Sequence, residues 1–116
     1  MPKTRVKICG LKTPETIAAA VETGASYIGF NFFARSPRSV DFETAARLAI
    51  EVPFGVAKVG LVVNESDAFL TELTDRVALD MLQLHGGETP ERVADVKARF
   101  GLPGVTVIGV AGAGRI

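Results

Sequence analysis

The chain has 116 residues, 47% of them hydrophobic and 22% charged, with 13 Lys plus Arg balancing 13 Asp plus Glu. That length bounds it at one domain, the composition favours a packed core over disorder, and zero net charge leaves no basic surplus for nucleic acid or anionic lipid. A single cysteine excludes an internal disulfide and fits a reducing cytoplasm; Met1-Pro2-Lys3-Thr4-Arg5 leads into a short apolar strand rather than a signal sequence, and no apolar run reaches membrane-spanning length.

In chain order, the first strand is expected at Val6 to Cys9. A helix follows from Pro14 to about Thr23, with Ile17, Ala20 and Val21 inward and Gly24 as the stop. The second strand is Tyr27 to Phe32, and a longer loop from Phe33 to Val40 carries Arg35, Ser36, Pro37 and Arg38. Asp41 caps the second helix, which buries Ala45, Leu48, Ala49 and Val52 and ends before Pro53. The third strand is Ala57 to Val63. Ser66 caps a third helix with the stripe Phe69, Leu70 and Leu73. The fourth strand, Met81 to Leu84, presents His85 at its tip. The fourth helix runs from Pro90 to Phe100 and stops at Gly101; a fifth strand spans Val105 to Val110.

The ends of the first and fourth strands repeat one layout. With Cys9 aligned to His85, Gly10-Leu11-Lys12-Thr13-Pro14-Glu15 matches Gly86-Gly87-Glu88-Thr89-Pro90-Glu91. In both copies an apolar strand ends in a chemically useful side chain. A glycine turn follows, then a Thr cap and a Pro at the first helical position, where the missing N–H is not needed. Cys9 and His85 are thereby expected at one end of one sheet.

Strict βα alternation means a parallel sheet with helices packed on it, either an open doubly wound sheet or part of a TIM barrel. Strand polarity favours the barrel. Lys7 and Cys9 alternate with Val6 and Ile8, and Gln83 and His85 with Leu82 and Leu84. One face meets helices and the other tolerates polar groups near its C-terminal rim, whereas strands covered on both faces read as continuous apolar runs. The chain is read as one α/β domain over 1–116, four βα units plus a fifth strand.

Three motifs in order carry a family resemblance: Lys7-Ile8-Cys9-Gly10; Gly29-Phe30-Asn31-Phe32 followed by Ser36-Pro37-Arg38-Ser39; and Leu79-Asp80-Met81-Leu82-Gln83-Leu84-His85-Gly86. Over nearly its whole length, to about Val110, the chain resembles the N-terminal half of phosphoribosylanthranilate isomerases of tryptophan biosynthesis, which are complete (βα)8 barrels. The resemblance implies an Amadori rearrangement of a phosphoribosyl-anthranilate aminoaldose to an aminoketose, without metal or redox cofactor. It implies that Cys9 is the general base, that Arg38 meets the anthranilate end, and that Gln83 and His85 line the pocket. Lys7, on the same strand face as Cys9, adds positive charge.

The departures also shape the expectation. The family's general acid is an Asp at the end of strand six, and its phosphate site lies after strands seven and eight; neither has a counterpart in these 116 residues. A Lys common on the family's fifth strand aligns with Thr106, and the tail Ala111-Gly112-Ala113-Gly114-Arg115-Ile116 departs from the usual continuation. The chain alone is expected to be inactive. Partners follow from the same reading: a small phosphosugar–anthranilate substrate, no nucleic acid or membrane, and a second copy or a complementary C-terminal half.

Each residue also has a plainer role. A lone Cys in an apolar strand is commonly a small buried hydrophobe, His85 can bond a neighbouring carbonyl, and Arg38 can be a solvated loop residue. Asp80 falls at the opposite rim and is left out of the site. The glycines after the fifth strand lack the third Gly and following helix that a phosphate-binding turn needs. Two other functions stay open: a non-catalytic half-barrel that self-associates or pairs with a complementary half, and a flavodoxin-like βα domain binding a phosphorylated ligand.

Overall fold

The computed structural model describes residues 7–101 and 106–109, apart from the side chain of Cys9. The expected extensions of the outer strands to Val6, Val105 and Val110, and the glycine-bearing tail 111–116, lie outside the described residues. Among the described residues nine elements follow one another: β1 (Lys7–Cys9), α1 (Pro14–Glu22), β2 (Tyr27–Asn31), α2 (Phe42–Glu51), β3 (Ala57–Val62), α3 (Asp67–Arg76), β4 (Met81–Leu84), α4 (Pro90–Phe100) and β5 (Thr106–Gly109).

Each helix begins where a short polar side chain satisfies a free backbone N–H. Thr13 accepts from the Thr16 N–H at 3.2 Å, Asp41 from Thr44 at 2.7 Å, Ser66 from Phe69 at 3.2 Å and Thr89 from Arg92 at 3.1 Å. Such a cap contributes about 1 kcal/mol. Pro14 and Pro90 sit at the helix starts as expected. The α1 capping box closes through Thr16 rather than the usual Glu or Gln, its hydroxyl accepting from the Thr13 N–H.

The five strands form one parallel sheet in the order β1-β2-β3-β4-β5. This order removes the flavodoxin-like alternative, whose sheet runs 2-1-3-4-5. Right-handed crossovers between sequential neighbours place every helix on the same side of the sheet. That side is apolar: Ile28, Phe30, Val62, Leu82, Leu84 and Val107 are buried there, against Ile17 and Ala20 of α1, Ala45, Leu48 and Ala49 of α2, Leu70 and Leu73 of α3 and Val96 of α4. Val52 is buried as expected, whereas Val21 and Phe69 are only partly covered. Phe42 bridges the layers, its ring 5.9 Å from Phe32 and 5.0 Å from Phe69.

The other face carries, by register, Tyr27 beside Lys7 and Ala57; Gly29 beside Cys9, Val59, Met81 and Thr106; and Asn31 beside Leu61, Gln83 and Ile108. No helix among the described residues covers this face. Lys7 Nζ donates to Gln83 Oε1 across it, from β1 to β4. In a flat sheet those strands are three spacings apart, about 14 Å. The sheet therefore curls with this face concave, as in the wall of a barrel.

At the N-terminal rim Asp80 ties β3 to β4. Its Oδ2 accepts from the Lys58 N–H at 2.8 Å and lies 3.1 Å from Lys58 Nζ, while its own N–H donates to the Lys58 carbonyl at 2.8 Å. Outside, Arg92 pairs with Asp67 of α3 at 2.6 Å and Asp95 at 2.8 Å, and Arg99 donates to Asp95 at 3.0 Å. The Arg99 hydrogen bond is the main cause holding the Asp95 carboxyl below its ordinary value of 3.8, with Arg92 adding to it.

Two predictions follow from these contacts. Asp80→Ala leaves the Lys58 N–H and ammonium without their partner and should cost about 1–2 kcal/mol in urea unfolding, with an unchanged denaturant slope. For Asp95, a lowered folded-state pKa gives stability that is complete above the unfolded value and lost as pH falls through the folded value. Asp95→Asn should therefore flatten the acid limb of the stability–pH profile below about pH 4, with no effect on its slope near neutrality.

Candidate functional site

The C-terminal ends of the strands and the loops after them gather the polar side chains. Gln83 is the buried polar residue of the described core, at 8% exposure, and the Lys7 ammonium satisfies its carbonyl. An amide buried without that partner would carry a desolvation penalty. The bond also holds one lysine charge over the concave face, on the strand that ends in Cys9. The Cys9 side chain lies outside the described part, so its backbone register beside Gly29 is what places it.

Arg38 reaches the same rim by a loop tied by hydrogen bonds of its own and by one from the β1–α1 loop. Asn31 Oδ1 accepts from the Phe33 N–H at 2.8 Å, and the Asn31 carbonyl from Val40 at 2.9 Å. Ser36 Oγ accepts from the Arg38 N–H at 3.1 Å, and the Ser36 carbonyl from Ser39 at 3.1 Å. Asn31 and Ser39 form a parallel bridge that carries the sheet one step further. Lys12, in the β1–α1 loop, donates to the Pro37 carbonyl at 2.9 Å. The stem of Arg38 lies on Gly10, which has φ +79° and where a Cβ would stand 2.7 Å from Arg38 Cδ. Both the turn and the close approach require glycine. Arg38 is exposed, and among the described residues its guanidinium has no hydrogen bond or ion pair.

His85 continues the β4 ladder, its N–H donating to the Val62 carbonyl at 2.8 Å. Its side chain is half-buried and makes no hydrogen bond among the described residues, so the imidazole does not serve a nearby carbonyl there. Thr106 is exposed on the concave face, beside Met81. The two aligned loop copies share their caps but not their turns: Gly10 is left-handed, whereas Gly86 is needed for close approach, a Cβ there standing 2.9 Å from Asn64 and Val63 side-chain atoms.

Four residues that hold this rim were not among the candidates. Asn31 was legible as a polar residue on the concave alternation of β2. Lys12, Asn64 and Glu88 act through backbone groups of neighbouring loops, which no local pattern reveals.

Among the described residues, a guanidinium and an imidazole without a hydrogen-bond or ion-pair partner stand at the rim of a concave face whose buried amide is held by an ammonium, groups that suit a small anionic ligand. The sequence model of N-(5'phosphoribosyl)anthranilate (PRA) isomerase matches residues 6–108. The N-(5'-phosphoribosyl)anthranilate isomerase of Ruegeria sp. (strain TM1040) is 57% identical over 111 residues, covering 96% of this chain and 52% of that protein. A crystal structure of phosphoribosyl anthranilate isomerase in complex with reduced 1-(o-carboxyphenylamino)-1-deoxyribulose 5-phosphate superposes with a TM-score of 0.83 at 36% identity, over 92% of this chain and 53% of that one. A crystal structure of monomers of the dimeric isomerase from Thermotoga maritima gives a TM-score of 0.78 at 36% identity, over 95% of this chain and 56% of that one. The chain thus spans about half the length of the relatives it matches.

The Gly10–Arg38 contact generates a prediction. Gly10→Ala meets both a left-handed φ and the Arg38 stem, and should destabilise by more than about 1 kcal/mol. Thermal unfolding measures that cost. Gly87→Ala, with open space around its Cβ position, is the control and should shift the midpoint much less.

Proposed function

This chain belongs to the N-(5'-phosphoribosyl)anthranilate isomerase family, and we propose that it forms the base-bearing half of a barrel that converts N-(5'-phosphoribosyl)anthranilate to 1-(2-carboxyphenylamino)-1-deoxyribulose 5-phosphate in tryptophan biosynthesis. The observation that supports this reading best is the concave face. Among the described residues every helix packs on the other side, and Lys7, Gln83, Arg38 and His85 lie along its length or rim. In this reading the enzyme works in the cytoplasm. Among the described residues no helix is long and apolar enough to cross a membrane.

The chemistry needs an acid and a base in sequence. A general acid protonates the ribose ring oxygen, the C1–oxygen bond breaks, and the anthranilate nitrogen lone pair forms an iminium with C1. A base then removes the C2 proton. The resulting enolamine takes a proton back at C1 and the enol oxygen becomes the C2 ketone, so hydrogen is conserved. Cys9 is the base in this proposal, which requires its thiolate. Lys7, two residues earlier on the same strand, adds positive charge to the concave face. Arg38 takes the anthranilate carboxylate or packs on its ring, and Gln83 and His85 line the pocket. The acid, an Asp at the end of strand six in the family, and the phosphate loops after strands seven and eight belong in this reading to the other half of the barrel.

A second reading is a half-barrel that self-associates without catalysis. It draws on the outer edges of β1 and β5, which have no strand neighbour among the described residues, and on Ile108, exposed on the concave face. In both readings a second copy or a complementary half covers these edges.

The 116 residues alone should lack substantial activity, because losing a general acid forfeits about a hundred- to ten-thousand-fold in rate. A strain lacking the isomerase tests this. It should not grow without tryptophan on this chain alone, and growth there would overturn the half-site reading. Co-expression with the C-terminal half of a family barrel should restore growth, and Cys9→Ala should abolish it. Growth that survives Cys9→Ala would remove Cys9 as the base. Light scattering on the isolated chain should show association; a stable monomer at high concentration would remove the second reading.

A further inference from the structure

We propose that Glu88 is a positioning residue: its carboxylate locks the β3–α3 loop to the β4–α4 loop and so fixes His85 on the rim of the pocket. Two short hydrogen bonds carry the proposal. Glu88 Oε1 accepts from the Gly86 N–H and Oε2 from the Asn64 N–H, each at 2.7 Å. A third bond runs between the same loops, from the Gly87 N–H to Asn64 Oδ1 at 3.1 Å.

The geometry selects the residue types. An ionised carboxylate is acceptor-only, so each oxygen can take one backbone N–H, and such charge-assisted bonds are short and strong. A glutamine offers one accepting oxygen and would turn its NH2 toward the other donor. Asn64 takes a left-handed φ of +49°, which asparagine tolerates better than most residues, and this aims its side chain at Gly87. Gly86 lets the loops approach, as a Cβ there would stand 2.9 Å from Asn64 Cγ. His85 is thereby held on both sides: before it by the ladder bond to Val62, and after it by the Gly86 bond to Glu88.

The plainer role for Glu88 is to place negative charge before the N-terminus of α4. That role does not require its oxygens to meet two N–H groups outside the helix, in two different loops. The inference rests on the reading of His85 as a pocket residue only for its functional consequence, because the clamp itself is a property of the two loops.

The test uses the 116-residue chain in solution. His85 is its one histidine, so its imidazole NMR signals are unambiguous. In Glu88→Gln, amide exchange at Asn64 and Gly86 should accelerate by about tenfold or more, the His85 imidazole signals should shift, and exchange at Ile28 in β2 should stay as in the parent. Asn64→Gly keeps the left-handed turn and removes Oδ1. It should release the Gly87 amide alone, and it decides the loop connection even if Glu88→Gln fails to fold. Unmoved His85 signals in Glu88→Gln, or loss of exchange protection at the amides of position 64 and Gly86 in Asn64→Gly, where Glu88 is still present, would overturn the proposal. His85→Ala in the two-half growth assay separates the two readings: full growth there, with the NMR changes present, removes His85 from the pocket and leaves the clamp standing.

Discussion

A parallel sheet built from sequential neighbours has one constraint that the rest of this structure obeys. Right-handed crossovers then all fall on one side, so the sheet has one helix-covered face and one face that its own helices cannot reach. The covered face is the hydrophobic core. The uncovered face must curl inward or stand open to water, and the Lys7–Gln83 bond spanning β1 to β4 requires the curl. That bond satisfies a buried amide and holds a positive charge above the strand that ends in Cys9. The curvature and the electrostatics of the proposed site therefore share one contact.

The two rims of the wall use charge differently. At the N-terminal rim, Asp80 meets both the backbone and the ammonium of Lys58, so the pair closes on itself and presents nothing to a ligand. At the C-terminal rim, Arg38 and His85 keep their polar atoms unengaged among the described residues, while other groups hold their backbones in place. Stabilising contacts at one end and open functional groups at the other is the division that (βα) barrels show generally.

Much of this was legible in the sequence because the signals are local. Thr13-Pro14, Asp41, Ser66 and Thr89-Pro90 mark helix starts through side chains that reach only three residues ahead. Alternation in Lys7-Ile8-Cys9 and Leu82-Gln83-Leu84-His85 separated the two faces, and the placement of Asp80 at the far rim followed from its position before β4. Strand order was not local, which is why an open sheet remained an alternative until the pairing was seen. The rim loops were less legible still. Glu88 and Asn64 are 24 positions apart and meet through a backbone N–H, a group every non-proline residue carries and no sequence pattern marks.

The aligned loop copies show how one position serves opposite chemistry. Lys12 and Glu88 each stand immediately before a Thr cap, and each reaches from its own loop to a neighbouring one. Lysine can only donate, so Lys12 reaches forward to the Pro37 carbonyl; an ionised glutamate can only accept, so Glu88 reaches back to the Asn64 N–H. The first pairs the loop after Cys9 with the loop of Arg38. The second pairs the loop after β3 with that of His85. The rim is thus organised as two bolted pairs of loops, each bearing part of the proposed site, and the Lys7–Gln83 bond spans the sheet between the strands that bear them. Side chains on separate loops need such cross-ties to hold a shared geometry, because a short βα loop buries too little surface to order itself.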